Sequence, residues 1–434
     1  KSARITGQPY LRDQIYRNSD QKELFLVTYH MLKFEEPGLE KLLKKHKFFV
    51  VLDESHHVKN FYDGLHANIV RRLGAYAKRR LILSGTPVPN SLEDLWSQFT
   101  FLWPKKNLLG TKYAFKEDIS RDWASTKEKI DPIFTRINKD ELGIPKPTIE
   151  RIGVELDPDH YDFYYELSSS VLRSANSQNG EGNKNRFYRV CMAWIIQAID
   201  DPRRLMSNDH VAKRLGANQA LMQAYSKYCK NALPMKIVAS KKEVESLISR
   251  NKKVLFWTYF VKNIIGLSTK EFQKFAPLLI YGDIPKDESI DEDFNREKNI
   301  LLFKNDPKRM LLMANPAACA ESISLHKVCK DAIYLDRTLN CAQYLQSLDR
   351  IHRVGIKVTP HISLYLASDT FDETIDERLS EKTQVMLDLL DDPFEPINLE
   401  THMNDYLGRI NDRMEAENRK DIDVFKESLK QTRR

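Results

Sequence analysis

Short apolar runs alternate with amphipathic segments at both ends of the chain, and this pattern predicts parallel β-sheets covered by helices. Residues 48–52 form an apolar run with two adjacent valines, which predicts a strand buried on both faces of a sheet. Residues 22–29 and 80–84 also predict strands, and apolar residues at helical spacing between positions 65 and 76 predict a helix. Strand, helix and strand in this order are the repeat of a parallel α/β sheet.

The same rhythm returns after residue 253, where five apolar runs predict a second parallel sheet. Between the two sheets, residues 103–233 are mostly helical and charged in character, with one extended segment at 148–155. Residues 168–186 are poor in apolar side chains and rich in Ser, Asn and Gly, which predicts a mobile loop. The predicted fold class is therefore α/β, with parallel sheets and helical insertions.

The composition is typical of a globular intracellular protein. With 434 residues, 41% of them hydrophobic, the chain is long enough for two or three domains. Its apolar runs fall far short of the ~20 residues that span a bilayer, so we expect no membrane segment. Five cysteines without C-x-x-C spacing argue against a disulfide framework or a zinc site and favour a reducing compartment. A net charge of +7 permits a polyanionic partner without requiring one.

Two adjacent carboxylates, Asp53 and Glu54, directly follow the strand predicted at residues 48–52. Ligands of open α/β sheets bind at this edge. There Asp53 can hold Mg²⁺ through its water shell while Glu54 orients and deprotonates an attacking water, as nucleotide hydrolysis requires. Ser84 and Thr86 follow the next strand in a turn, so we expect their hydroxyls near the carboxylates. The alternative is a surface turn in which Asp53 caps a helix.

Residues 341–355 predict a helix that Gly355 closes at its C′ position. On this helix Gln346, Arg350 and Arg353 stand at i, i+4 and i+7 and fall on one stripe. Two arginines on one stripe can donate to a phosphate and stabilise charge that develops on its oxygens. The alternative is a solvated or ion-paired face.

Together these segments resemble one family, the Swi/Snf-like ATPases of helicase superfamily 2, which move along duplex DNA without separating its strands. Residues 53–56 (DESH) resemble motif II of that family, residues 83–87 (LSGTP) motif III, and residues 346–355 (QSLDRIHRVG) motif VI. The resemblance covers nearly the whole chain. Residues 321–326 (ESISLH) are more similar to prokaryotic members, some of which accompany phage-defence systems.

The resemblance implies two RecA-like parallel-sheet lobes with helical insertions, with ATP and Mg²⁺ between the lobes and double-stranded DNA across both. It further implies protein subunits of a larger complex, and a location in the cytoplasm or nucleoid rather than the nucleus. The implied domains are lobe 1 at 1–155 with a helical protrusion at about 97–131, a helical insertion at 156–235, lobe 2 at 236–390 and a C-terminal helical extension at 391–434.

The resemblance also assigns site residues. The implied catalytic set is Asp53 and Glu54 for metal and water, Arg350 and Arg353 as arginine fingers, and Gln346 beside them. The implied nucleotide contacts are Asp53, Ser84, Thr86 and Gly355, and the implied DNA contacts are Thr28, Ser322, Ser324 and Asn340.

The sequence departs from the family in one important way, because it contains no G-x-x-x-x-G-K-[ST] phosphate loop. Since Lys1 is not an initiator methionine, we expect this loop upstream of Lys1. A competing hypothesis is a binding scaffold with a helicase fold and no turnover. A third treats His56, His57 and His66 with Asp53 as a metal-hydrolase or nuclease site, although the histidines lack i, i+4 spacing.

Overall fold

The chain divides into two compact units, the first built mainly on Lys1–Arg136 and the second mainly on Ile137–Glu381. The computed structural model describes residues 1–58, 64–85, 92–135, 142–176, 181–282, 284, 295–318 and 323–387. The predicted C-terminal extension at 391–434 lies outside the described residues.

The first unit combines short parallel strands with helices. Strand β1 pairs with β2, and β3 pairs with β4, both in parallel. The strands are β1 (Ser2–Arg4), β2 (Leu24–Leu26), β3 (Phe49–Leu52) and β4 (Arg79–Ile82). The helices are α1 (Pro9–Arg17), α2 (Leu32–Lys45), α3 (Leu65–Gly74), α4 (Asp94–Leu102), α5 (Lys112–Arg121) and α6 (Trp123–Ile130). The strand–helix–strand order β3, α3, β4 confirms the parallel α/β repeat predicted for this region.

Strand β3 differs from the prediction in its burial. Val50 and Leu52 pack on the core shared with α2, α3 and α4, whereas Phe49 is 58% exposed and Val51 43%. Side chains alternate between the faces of a strand, so one face of β3 is covered and the other is open in the described part of the chain. Within the described residues, the burial predicted for both faces is found on one face only. The same kind of exposure recurs at Leu24, Leu26, Leu81 and Leu83.

The predicted protrusion at 97–131 contains α5 and α6. Phe115 of α5 and Ile130 of α6 are buried, and both belong to the same apolar core as Phe99 of α4. These two helices therefore pack against the rest of the first unit through their apolar residues.

The second unit is organised around one six-stranded, all-parallel sheet in the order β5-β10-β9-β6-β8-β7. Its strands are β5 (Thr148–Val154), β6 (Val254–Trp257), β7 (Leu278–Ile280), β8 (Leu311–Ala314), β9 (Asp331–Tyr334) and β10 (His361–Ala367). Its helices are α7 (Pro158–Asn176), α8 (Glu181–Asp200), α9 (Pro202–Met206), α10 (Asp209–Leu215), α11 (Gln219–Asn231), α12 (Met235–Ser249), α13 (Val261–Thr269), α14 (Arg296–Asn305), α15 (Cys341–Leu348) and α16 (Phe371–Leu387). The central strands are buried on both faces, as expected for a parallel sheet covered by helices.

Strand β5 belongs to the second unit, so the boundary between the units differs from the predicted one. The sequence placed residues 148–155 at the end of lobe 1, but β5 runs parallel to β10 over its whole length, with Thr148 opposite His361. Ile152 and Val154 of β5 also pack with the core of the second unit. The first unit therefore ends near Arg136 rather than at residue 155.

The prediction of a mobile loop at 168–186 was wrong for residues 168–176, which belong to α7, and for residues 181–186, which belong to α8; residues 177–180 lie outside the described residues. Leu167 and Val171 of α7 are buried, as is Ile195 of α8. Burial of this apolar face outweighs the weak helix preference of the serines between them. None of the helices in the described residues is long and apolar enough to cross a membrane.

Candidate functional site

The carboxylate pair lies in a tight turn directly after β3. Asp53 is exposed, and its Oδ1 accepts a 3.1 Å hydrogen bond from the backbone N–H of Glu54. Glu54 has a φ of 49°, which is the left-handed region that non-glycine residues rarely adopt. Strain of this kind is retained where the surrounding structure enforces it, commonly at functional sites.

Three neighbouring segments fix this turn. The backbone N–H of Ser55 donates to the carbonyl of Leu83 just after β4, at 3.0 Å. The Ser55 hydroxyl donates to Oε1 of Gln98 on α4 at 2.6 Å, and both residues are buried. The hydroxyl of Tyr29 donates to the backbone carbonyl of Asp53 at 2.8 Å. The turn is therefore held from β4, from α4 and from the segment after β2.

Sequence reasoning missed Gln98 and Tyr29. Gln98 stands on the apolar face of α4 between Leu95 and Phe99, and a buried amide on such a face needs a polar partner. That isolated amide is the signal that could have found it. Tyr29 also packs against the ring of His57, with 5.3 Å between ring centroids.

Burial raises the pKa of the Tyr29 hydroxyl, and the negative charges of Asp53 and Glu54 raise it further. The phenol therefore keeps its proton and remains a donor to the Asp53 carbonyl across the physiological pH range.

Of the two hydroxyls predicted near the carboxylates, the structure describes that of Ser84. The backbone N–H of Leu83 donates to the carbonyl of Leu52 at 2.8 Å, which brings the half-buried Ser84 to the same edge of the sheet as Asp53. Thr86 lies outside the described residues.

A single exposed carboxylate suits Mg²⁺, because this ion keeps most of its water ligands and needs only one or two protein oxygens. By contrast, the described residues contain no group of three His, Cys, Asp or Glu side chains that could hold a metal. His57 packs on Tyr29, and His66 lies against His30 with 5.4 Å between ring centroids. The described part of the chain therefore gives no support to the metal-hydrolase hypothesis.

The predicted arginine stripe is interrupted in the second unit. Helix α15 ends at Leu348 rather than continuing to Gly355. The carbonyl of Arg350 accepts the N–H of Leu325 at 2.9 Å instead of extending the helical ladder. Arg350 and Arg353 therefore do not share a helical face with Gln346, and Gly355, with a φ of 92°, belongs to a later turn.

The two arginines lie in different environments. Arg350 is 9% exposed, and its guanidinium donates to the backbone carbonyls of Gln346 at 2.9 Å and Ile323 at 3.2 Å. Arg353 is exposed. The carbonyl of Arg353 accepts the N–H of Ile356 at 3.1 Å, so it stands in the turn that Gly355 helps to form. Of the two side chains, Arg353 is the one presented at the surface.

The implied DNA contacts are distributed over both units. Thr28 is exposed in the first unit, directly before a short 3₁₀ turn, Tyr29–Met31. In the second unit, Asn340 is exposed at the start of α15, where its side chain accepts the N–H of Gln343 at 3.2 Å. Ser324 is half-buried, with its hydroxyl 2.8 Å from Nδ1 of His326. Ser322 lies outside the described residues.

Burial lowers the pKa of His326, and the positive charges of Lys327 and Arg353 lower it further. A neutral imidazole can accept the Ser324 hydroxyl proton at Nδ1, so the pair fixes the side chain of Ser324.

Comparison with known proteins finds one matching family model, the SNF2-related domain, over residues 10–211. An "Uncharacterized ATP-dependent helicase" of Mycoplasma pneumoniae is 25% identical over 375 residues, covering 84% of this chain and 32% of that protein. The "ISWI chromatin-remodeling complex ATPase ISW2" of Saccharomyces cerevisiae is 22% identical over 408 residues, covering 88% of this chain and 33% of that protein. The chain thus spans about a third of the length of these curated relatives.

A solved structure is also similar, the "Sulfolobus solfataricus SWI2/SNF2 ATPase core in complex with dsDNA". It is 21% identical, with a TM-score of 0.41, and the match covers 90% of this chain and 76% of that chain.

Proposed function

Residues 10–211 match the SNF2-related domain, and from this match we propose that the chain is the motor of a DNA-dependent ATPase. The activity we propose is translocation along double-stranded DNA, driven by ATP hydrolysis and without separation of the strands. Remodelling of DNA or of protein–DNA complexes would be its outcome.

The observation that carries the proposal is the turn after β3. Glu54 sits in a strained conformation beside an exposed Asp53, and the turn is fixed from three sides. Pre-organised carboxylates suit a hydrolytic site, since they need not reorganise during the reaction. Asp53 would hold Mg²⁺ through water, and Glu54 would orient the attacking water and accept its proton. When bound, Mg²⁺ neutralises charge on the phosphates.

We assign the role of arginine finger chiefly to Arg353. Its guanidinium is exposed, whereas that of Arg350 is occupied by two backbone carbonyls. In this assignment Arg350 holds the segment in place and Arg353 stabilises the charge that develops on the transferred phosphoryl group. Gln346 accepts the Arg350 guanidinium through its backbone carbonyl, and we propose that its side chain belongs to the same cluster.

The phosphate-cradling loop is supplied, in our proposal, by sequence outside these 434 residues. Support comes from the open apolar face of β3, where Phe49 and Val51 are exposed beside similar residues of neighbouring strands. A parallel sheet is stable when both faces are covered, so this face suits a further βα segment. Without such a segment the chain would be the non-catalytic scaffold of the alternative hypothesis.

Double-stranded DNA is the partner we propose for Thr28, Ser324 and Asn340. Phosphate contacts by such polar groups carry little sequence information, so binding should depend weakly on base sequence. We further propose an intracellular setting with protein subunits of a larger complex, and a prokaryotic phage-defence role as the first to be tested.

The test is ATP hydrolysis by the full-length protein in the presence of duplex DNA, single-stranded DNA, RNA or no nucleic acid. The proposal expects stimulation by duplex DNA above all other conditions. Duplex binding without hydrolysis under any condition would favour the scaffold.

A further inference from the structure

Two aspartates of α16, Asp372 and Asp376, stand one helical turn apart, and each binds a buried cation from another part of the second unit. Nζ of the fully buried Lys236 donates to Asp372 at 2.7 Å. Oδ1 of Asp376 lies 2.7 Å from Nη2 of Arg337, whose side chain is 6% exposed. Residues four apart share a helix face, so one face of α16 holds both cations.

Lys236 extends this arrangement toward the C-terminal edge of the sheet. It also donates to Asp200, the last residue of α8, at 3.0 Å. The Asn263 amide joins Asp200 at 2.8 Å to Asp336 at 3.4 Å. Asp336 in turn accepts the backbone N–H of Tyr259 at 2.6 Å. A continuous buried network therefore runs from the helical insertion to Asp336, the residue directly before Arg337.

Arg337 begins the segment that leads into α15. Its guanidinium lies over the ring of Tyr344 on α15, 5.4 Å from the ring centre. Asn340 ends the segment by capping α15 through the N–H of Gln343. The segment from 337 to 340 is thus anchored at both ends. At its first residue, Arg337, the anchor is the ion pair with Asp376 of α16.

We infer that Asp376 is a positioning residue for DNA binding, because it holds Arg337 and thereby fixes the segment that presents Asn340. Arg337 is too buried to meet DNA itself. A buried guanidinium without a carboxylate is strongly unfavourable, so loss of Asp376 would drive it toward solvent and move the segment. The inference rests on the proposed function, in which the exposed Asn340 contacts duplex DNA.

Arg151 provides a matched control. It donates to the other oxygen of Asp376, Oδ2, at 2.5 Å, but it lies on β5 and is 49% exposed. Removing Arg151 leaves the contact between Asp376 and Arg337 in place. If Asp376 only stabilised the fold, loss of either arginine would weaken duplex binding to the same extent. If Asp376 positions the segment from 337 to 340, only loss of Arg337 should weaken duplex binding.

The experiment measures affinity for a fluorescent DNA duplex, KM for ATP and the thermal midpoint for the full-length parent and for Asp376→Asn, Arg337→Gln and Arg151→Gln. We expect Asp376→Asn and Arg337→Gln to weaken duplex binding by about tenfold, a usual size for coupling between sites. Their KM for ATP should move by less, and Arg151→Gln should bind duplex as the parent does. Arg337→Lys, which keeps a cation but loses the planar fork, should fall between these results.

Equal duplex affinity of the parent and all folded variants overturns the inference while the proposed function stands. Equal weakening by Arg151→Gln and Arg337→Gln also overturns it, since the network would then act only through stability. If Asp376→Asn does not fold, Arg337→Lys decides between these outcomes by the same duplex measurement. A parent that binds no duplex overturns the proposed function, and the inference with it.

Discussion

The hydroxyl of Tyr29 donates a 2.8 Å hydrogen bond to the backbone carbonyl of Asp53. Tyr29 directly follows Thr28, an implied DNA contact, and Asp53 is the implied metal residue. One hydrogen bond therefore connects a proposed DNA-binding position to the proposed hydrolytic turn within the first unit. This contact offers a direct route by which bound DNA could change the rate of hydrolysis.

Tyr29→Phe tests that route, because it keeps the ring against His57 and removes only the hydroxyl. We expect DNA-stimulated hydrolysis to fall more than DNA-independent hydrolysis, with a stability change of ~0.5–1.5 kcal/mol for one hydrogen bond. Tyr76→Phe is the control, since it removes a hydroxyl that donates to Glu40 of α2 rather than to the turn. Equal ratios of stimulated to basal rate in parent and Tyr29→Phe would contradict the route.

Glu54→Gln tests the catalytic carboxylate. The amide keeps the shape of the side chain but cannot accept the proton of the attacking water, so turnover should fall by about 10²- to 10⁴-fold. Nucleotide binding should remain. The measurements are steady-state hydrolysis and ATP affinity in the full-length protein, with Glu36→Gln, which removes a surface ion pair to Arg72, as the control. Turnover at the parental rate would show that Glu54 is not the base.

Arg353→Ala and Arg350→Ala should have different signatures. Arg353 is exposed, so its loss should cost ~10³-fold in turnover if it is the finger, with a stability change under about 0.5 kcal/mol. Arg350→Ala leaves the carbonyls of Gln346 and Ile323 without their donor, which costs about 1–3 kcal/mol. Hydrolysis and thermal midpoints of both variants should be measured together. Parental turnover in Arg353→Ala would remove it from the site.

The sequence predicted the parallel α/β architecture, because the apolar runs and helical periods are strong local signals. It also predicted that Asp53 and Ser84 would lie at one sheet edge, and the pairing of β3 with β4 places both residues there. The local sequence pattern could not predict which hydrogen-bond partners distant in sequence a segment would find in the folded chain. The N–H of Leu325 takes the carbonyl of Arg350 and helps to end α15 early, and no periodicity within residues 341–355 carries that information.

The assignment of β5 failed for a similar reason. Its sequence predicts an extended segment, and the segment is extended, but its pairing with β10 joins residues more than two hundred positions apart. The exposure of Phe49 and Val51 is another case, since an apolar run shows that both faces tolerate burial and does not show what covers them. Gln98 and Tyr29 support the site through contacts that only the folded chain reveals.

Salt dependence tests the proposed DNA partner. If phosphate contacts dominate, log Kd for duplex DNA should change linearly with log salt concentration, with a slope of roughly 0.9 for each phosphate neutralised. Base sequence should have little effect on the affinity. The measurement is a titration of duplexes of unrelated sequence at several salt concentrations. Stimulation of hydrolysis by RNA alone, with no response to duplex DNA, would move the chain to a different functional branch.

The buried carboxylates of the second unit predict an unusual pH dependence. Burial raises the pKa of Asp200 well above its ordinary value, despite the neighbouring Lys236, and burial also raises the pKa of Asp336. The two carboxyl groups accept hydrogen bonds from the same Asn263 amide, and like-charge repulsion from Asp336 raises the pKa of Asp200 further, so the folded unit favours a proton at Asp200. The pair is also surrounded by Lys236, Asp372 and Asn263, and Asp336 accepts hydrogen bonds from the Thr258 hydroxyl and the backbone N–H of Tyr259.

The sign of the effect follows from proton counting. The folded unit keeps a proton that the unfolded chain loses above the ordinary Asp pKa of ~3.9. The contribution to stability is therefore present at low pH and is lost as pH rises from about 4 toward the raised pKa of Asp200, by up to ~1.4 kcal/mol per pH unit. Asp200→Asn supplies a permanent hydrogen-bonding group in place of the protonated acid, so it should flatten this part of the stability curve. Thermal midpoints of the parent, Asp200→Asn and the exposed control Asp162→Asn between pH 5 and 8 give the comparison. A parental slope that Asp200→Asn retains would place the proton elsewhere in the network.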